Sequence, residues 1–236
     1  MSIIGFLSDA HGNAHGLRAC LHSLERFHVD WLYFLGDAIG YLPGEQEVLQ
    51  LLRSASVKCQ KGNHEAMLLG DLPVPVGQEQ LYRLQQVHQR ITTDDYALLK
   101  TWPEQRVLEI DARRLLLVHG SPVDCLRHYI YSDADFSMFD ELDYDAIIMG
   151  HTHRPFVVER HGKIIVNVGS CGLPRDQGDL AAFALYDTEV HCCEIYRVQL
   201  DITQILAAFA PDQVADEVLR LFGHHSTFPL IGKLID

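Results

Sequence analysis

"AIIMGHTH" (residues 146–153) is a run of four apolar residues that breaks at a glycine and then presents two histidines either side of one threonine. Continuous apolarity over strand length is the pattern of a β-strand covered on both faces. A single histidine at a strand end is unremarkable. A pair at i and i+2 can aim two neutral nitrogens at ions lying close together, provided other segments bring partners.

Four further apolar runs end in the same way. Residues 3–7 are followed by Asp9 and His11, residues 31–35 by Asp37, residues 57–60 by Asn63 and His64, and residues 115–118 by His119. In open α/β sheets, ligands bind beyond the carboxyl ends of the strands, so these side chains are expected to converge on one sheet edge although they are distant in the chain.

The intervening segments fit that architecture. Residues 14–27 carry Leu17, Leu21 and Leu24 at helical spacing, and residues 45–53 carry Val48, Leu49 and Leu52, with Pro43 ahead as a helix-start signal. Residues 78–102 read as helices, with Leu81, Leu84, Val87, His88 and Ile91 on one face, and predict a small helical cap. Three hairpins follow from paired short runs: 106–110 with 115–118, 156–159 with 163–168, and 181–186 with 191–198. Beyond Asp201 the pattern turns helical again through 205–209 and 214–221 and runs out at 223–227. The expectation is one domain over 1–236, with a catalytic core at 1–198, the cap at 78–102 and a C-terminal helical extension at 201–222.

Composition narrows the function. With 47% hydrophobic and 22% charged residues the chain has the make-up of an ordinary soluble globular protein. A formal net charge of -13 argues against binding the backbone of duplex nucleic acid, which needs a basic surface. Bound cations would reverse that sign locally, so a small anionic substrate stays compatible. The six cysteines form no CxxC pair and read as reduced core residues. The first seven residues lack a basic region and are too short for a signal peptide or a membrane span, so a cytoplasmic protein with no membrane partner is expected; a homo-oligomer is left open.

Each candidate has an ordinary alternative. Asp9 or Asn13 alone could cap the following helix, Asp37 after Gly36 could be a turn aspartate, and Asn63 a turn asparagine. Five loops presenting a ligand type at the same kind of position weaken those readings together. Carboxylate, imidazole and amide ligands suit Mn(II), Fe, Zn or Mg rather than a thiolate-seeking ion. The set is too large for one ion, whereas two ions roughly 3.5 to 4 Å apart could share one carboxylate and clamp an in-line displacement at phosphorus.

"SDAHGN", "LGDAIGY", "KGNHE", "VHGSP" and "GHTHRP" resemble, in order and spacing, the motifs of the calcineurin-like metallophosphoesterases, and "NVGSCGLPRD" resembles the glycine-rich turn of their smaller bacterial and archaeal members. The resemblance covers residues 1–198 and implies an α/β fold: a two-sheet β-sandwich flanked by helices, with metals at one end. Carried over, it implies that Asp9, His11 and His153 hold one metal, that Asn63, His119 and His151 hold the other, and that Asp37 bridges them. His64 is implied to lie beside the substrate, stabilising charge on phosphate or protonating the leaving oxygen. Two departures stand out: Gly40 where many relatives have an aspartate, and Glu65 where many have an aspartate after the histidine of the third motif.

The implied activity is hydrolysis of phosphate mono- or diesters of small molecules or nucleotides by a hydroxide bridging two divalent or trivalent ions, Mn(II) first, with Fe, Zn, Mg or Ni as alternatives. Rival expectations are a dinucleoside polyphosphate hydrolase, a single-strand nuclease, which would need a basic groove, and a non-catalytic interaction scaffold, since one retromer subunit resembles the family yet acts by binding partners. Gly12, Gly62, Gly120 and Gly150 read as turn residues that let backbone approach the cluster; Tyr41, Arg154 and Arg175 could reach substrate oxygens, but each taken singly reads as a packing or surface side chain and is kept out of the site.

Overall fold

In the computed structural model, which describes residues 1–235, the first third of the chain alternates strand and helix because parallel pairing needs long crossovers. β1 (Ile3–Leu7), α1 (Ala14–Leu24), β2 (Trp31–Phe34), α2 (Glu45–Ser54) and β3 (Lys58–Cys59) follow in order. The three strands lie parallel, with Ile4 opposite Trp31 and Tyr33 opposite Lys58. The Asn13 side chain accepts a 3.0 Å hydrogen bond from the Gly16 N–H and so caps α1, a task that Asp9 does not share. α1 buries Ala14, Leu17, Cys20 and Leu24 at helical spacing, and α2 buries Val48, Leu49 and Leu52.

α3 (Asn63–Leu69) opens directly after β3 and is followed by α4 (Glu79–Tyr82), α5 (Leu84–Arg90) and α6 (Thr93–Thr101). The cap face expected across residues 81–91 is therefore interrupted. Arg83 takes a left-handed φ of 58°, which ends α4 and turns the Tyr82 carbonyl to accept a 2.9 Å bond from the Tyr41 N–H.

The second sheet holds β4 (Gln105–Ile110), β5 (Arg113–Val118), β6 (Ala146–Met149), β7 (Phe156–Arg160) and β8 (Lys163–Asn167) in the order β4-β5-β6-β8-β7. β5, β6 and β8 are parallel, and the antiparallel β4 and β7 form the edges. β9 (Leu180–Asp187) and β10 (Cys192–Gln199) then return to the first sheet, where β9 pairs antiparallel with β1. After α7 (Ile202–Ala207) and α8 (Asp216–Leu221), β11 (Lys233–Ile235) adds parallel to β10 and gives the order β11-β10-β9-β1-β2-β3.

Two expectations need correction. The candidate ligands do not lie along one sheet edge: β1, β2 and β3 belong to one sheet and β5 and β6 to another, so two sheets contribute. The C-terminal pattern does not simply run out. β11 is three residues long and largely exposed, so it carries no buried apolar run by which a sequence reading could find it.

The core explains the unbroken apolar runs. Ile4, Phe6, Tyr33 and Leu35 from one sheet meet Leu115, Leu117, Ile148 and Val166 from the other in the layer between them. The alternate residues Ile147 and Met149 of β6 pack outward on Phe136 and Phe139. Both faces of the strand are thus dry. Ile148→Ala is expected to lower stability by about 2–5 kcal/mol in urea unfolding, and Val107→Ala on edge strand β4, where the side chain is 45% exposed, by no more than about 0.5 kcal/mol; equal midpoints for the two variants would contradict a core between the sheets.

Candidate metal centre

The parallel strands of both sheets deliver their carboxyl ends to one place. Asp9 and His11 follow β1, Asp37 follows β2, Asn63 and His64 open α3 after β3, His119 follows β5, and His151 and His153 follow β6. All are buried, and Asn63 is the most accessible of them at 9%.

The backbone is bent to achieve this. Asp9, His11, Asp37, His151 and His153 all take left-handed φ angles, between 48° and 69°. Non-glycine residues pay for that conformation, Asp and His less than most, and such residues gather where a site over-determines the chain.

Four imidazoles of the cluster, all but His64, are oriented from behind by a backbone carbonyl. Nδ1 of His11 donates to Ile39 O (3.1 Å), of His119 to Leu35 O (2.9 Å) and of His153 to Leu173 O (2.5 Å), while His151 uses Nε2 toward Arg127 O (3.2 Å). Those bonds fix the tautomer and leave the opposite ring nitrogen as a lone pair facing inward.

What faces inward is acceptor against acceptor. Nε2 of His11 lies 3.0 Å from Nε2 of His153, and Asp9 Oδ1 lies 3.3 Å from the latter and 3.7 Å from the former. Asp9 Oδ1 is buried with no hydrogen-bond donor. On the other side, His119 Nε2 sits 3.0 Å from Asn63 Oδ1 and 3.2 Å from Asp37 Oδ2. Asp37 Oδ2 also reaches to 3.6 Å from His11 Nε2, so one carboxylate oxygen faces both groups. The groupings Asp9–His11–His153 and Asp37–His119–His151 each bring three ligand-type atoms within cation-binding range of one another. Buried lone pairs turned toward each other are costly unless a cation or a proton lies between them, so the donor set fits divalent ions.

The electrostatics show protons doing part of that work. Burial alone would raise the two carboxyls, but His153 and His11 hold Asp9, and His119 and His64 hold Asp37, well below the usual range. Burial would depress His119 too, yet the Asp37 carboxylate pushes it up to about 9. His151 is pushed down to about 4, by burial first and then by His119. His153 is driven well down by burial and by the positive charge of Arg175.

His64 stands apart. Its Nε2 is 4.0 Å from Asp37 Oδ2, its backbone N–H donates to Asp37 Oδ1 at 2.9 Å, and its Nδ1 is buried without a partner. Rings of His11, Tyr41 and Tyr82 pack around it at 4.7, 5.1 and 4.5 Å. A Cβ on Gly40 would lie 2.4 Å from His64 Nδ1, so the residue that replaces the aspartate of many relatives also lets this ring pack against bare backbone. Burial pushes His64 down to about 3, more strongly than Asp37 pulls it up.

Several residues hold the loops; of these Gly150 was expected as a turn residue of close backbone approach, and the others carried no assigned role in the sequence. The Glu65 carboxylate accepts from the N–H groups of Gly62 (2.7 Å), Asp37 (2.8 Å) and Ala38 (2.8 Å), tying the loop after β2 to the start of α3. Burial and Asp37 raise it to about 7 against the pull of those donors. Gly150 lets β6 approach β1, since a Cβ there would sit 2.2 Å from Ser8 Oγ and 2.8 Å from Asp9 Oδ2. At the end of β8 Asn167 donates to Gly150 O, and in the stretch that follows Ser170 donates to Asp9 O (2.6 Å) and Leu173 O takes the His153 ring. That stretch was visible as "NVGSCGLPRD", but its tasks depend on neighbours from other elements. Tyr82 and Tyr129, the latter with its ring 3.9 Å from that of His151, had no sequence signal. Tyr41 and Arg175, expected as packing or surface residues, meet at 3.1 Å beside the cluster, while Arg154 is exposed.

The comparisons with known proteins agree with this geometry. The family model for the calcineurin-like phosphoesterase superfamily domain matches residues 1–191. The chain is 27% identical over 222 residues to an uncharacterised protein of Methanocaldococcus jannaschii, covering 85% of this chain and 89% of that one. It is 25% identical over 197 residues to the phosphodiesterase YfcE of Escherichia coli, covering 78% and 87%. The crystal structure of a metallophosphoesterase from Sphaerobacter thermophilus superposes with a TM-score of 0.80 at 24% identity over 94% of this chain and 98% of that one, a likeness of fold. With its strand-end cluster and a family model spanning both sheets, the chain belongs to the calcineurin-like phosphoesterase superfamily.

Proposed function

We propose that this metal-dependent phosphoesterase is dinuclear and hydrolyses phosphate mono- or diesters of small molecules or nucleotides. The observation that carries the reading is Asp37: its Oδ2 faces His11 Nε2 at 3.6 Å and His119 Nε2 at 3.2 Å, as a carboxylate shared by two ions would. Asp9, His11 and His153 would hold one ion with Asp37, and Asn63, His119 and His151 the other. When bound, such a pair supplies Lewis acidity toward phosphoryl oxygens and lowers the pKa of nearby water. Mn(II) is the ion we favour for this mix of carboxylate, imidazole and amide oxygen.

The chain's own contribution is placement. The carbonyl-anchored imidazoles cannot swing away, and the enclosing rings of Tyr41, Tyr82 and Tyr129 limit water around a bound ester. Burial favours the neutral form of His64 over the pull of Asp37, so its role is to donate a hydrogen bond to a phosphate oxygen; protonating the leaving oxygen would require the charged imidazolium. The name of the Escherichia coli relative favours diesters. The net charge of -13 favours small substrates over duplex nucleic acid. All six cysteines are free, in keeping with the cytoplasmic location we favour. Among the described residues no helix is long and apolar enough to cross a membrane.

Three outcomes test this. A panel of p-nitrophenyl mono- and diesters assayed with Mn(II), Mg, Fe and Zn should show turnover that chelation abolishes and metal restores; a metal-loaded, folded protein inert on the whole panel would favour the scaffold. Asn63→Ala should lower metal occupancy by about one ion per chain in elemental analysis and reduce turnover by orders of magnitude with unchanged circular dichroism. His64→Ala should keep its metal while the rate falls by about 10²- to 10⁴-fold, and loss of metal instead would make His64 a ligand.

A further inference from the structure

The C-terminal segment is bonded to the loop that follows Pro174. Gly178 N–H donates to His224 O (2.8 Å), Ser226 N–H to Asp176 O (2.7 Å), and the Gln177 side chain to Ser226 O (3.1 Å). Behind this loop stands Arg197 of β10, fully buried. Its guanidinium grips both Asp176 oxygens at 2.6 and 3.0 Å, and also donates to Leu180 O (2.6 Å), Ala181 O (3.3 Å) and Ile231 O (3.2 Å). A buried bidentate pair of this kind fixes geometry, because removing either partner strands the other charge.

The neighbour of Asp176 is Arg175. Its backbone N–H donates to the carbonyl of His153 (3.2 Å), and its guanidinium donates to the Tyr41 hydroxyl (3.1 Å), whose ring lies 4.6 Å from that of His11. Arg175 is partly buried and, among the described residues, makes no ion pair with a carboxylate. A partly desolvated cation beside a site built for two more cations is favourable only when an anion joins them.

We propose that Arg175 binds an anionic oxygen of the substrate phosphate, and that the Arg197–Asp176 pair, with the C-terminal segment strapped over its loop, is the positioning device that aims it. The inference rests on the phosphoesterase reading above. Arg175 would contact the ester; Asp176 and Arg197 would act only through it.

The test is calorimetric titration of inorganic phosphate into the full-length, Mn(II)-loaded protein, alongside ester hydrolysis and elemental analysis. Arg175→Ala should weaken phosphate binding on the order of 10- to 100-fold, as loss of a charge-assisted hydrogen bond does, with metal content unchanged and partial rescue by Arg175→Lys. Asp176→Asn should weaken it by less, and in the Arg175→Ala background should add nothing, because it acts through the missing side chain. Should Asp176→Asn fail to fold, Gln177→Ala loosens the same loop from its solvent side and carries the same cycle. Unchanged phosphate binding in Arg175→Ala, or additive losses in the double variant, would overturn the inference. An active wild type with either result leaves the phosphoesterase reading standing; a metal-loaded wild type inert on every ester strikes that reading, and the titration still decides this one.

Discussion

Lone pairs that face one another without a donor between them are the constraint on which the site depends. Three histidines commit Nδ1 to a backbone carbonyl, so their Nε2 atoms can only accept, and they are turned toward each other and toward two carboxylates in a buried pocket. The cluster's donors are already committed to backbone carbonyls, so positive charge is what satisfies its inward lone pairs. The Asp37 carboxylate accordingly raises the His119 imidazole, the direction in which a nearby negative charge favours a positive one. Two divalent ions, as proposed above, would satisfy those lone pairs fully. The left-handed turns at Asp9, His11, Asp37, His151 and His153 are the conformational strain accepted to aim these atoms inward, and the sandwich core keeps the strands beneath rigid enough to bear it.

Much of this was legible in the sequence because ligand type and strand end coincide. An apolar run followed by a histidine or aspartate is a local signal, and Asp9, His11, Asp37, Asn63, His64, His119, His151 and His153 all carried it; the structure brings them together, while their roles as ligands remain the proposal made above. The packing of β6 on both faces followed from "AIIM" for the same reason. Groups that act across elements were not legible. Glu65 looks like any helical glutamate until the loop of Asp37 is folded over it, and Ser170 and Leu173 acquire their tasks only once β8 lies beside β6. β11 escaped because an exposed three-residue edge strand has neither length nor periodicity. The division of the strands between two sheets was implied by the resemblance and not by the runs themselves, since a strand buried on both faces does not reveal which layer covers it.

At Gly40 this chain departs from the motif that the resemblance implies, in which a carboxylate would stand against His64. Bare backbone at Gly40 and the rings of Tyr41 and Tyr82 give His64 an apolar seat. A neutral imidazole there can still donate a hydrogen bond, but it is a weaker source of protons than a carboxylate-paired one. In the reading proposed above, charge stabilisation beside the ester would fall more heavily on the cations and on Arg175, whose loop reaches back through Asp176 to a fully buried arginine of the first sheet.

The central claim is that one shared carboxylate joins two cations at the junction of the two sheets. Anomalous diffraction from crystals grown with Mn(II) tests it most directly. The account predicts two peaks roughly 3.5–4 Å apart, with Asp37 touching both, Asp9, His11 and His153 around one, and Asn63, His119 and His151 around the other. A single peak, or two peaks that do not share Asp37, would contradict it.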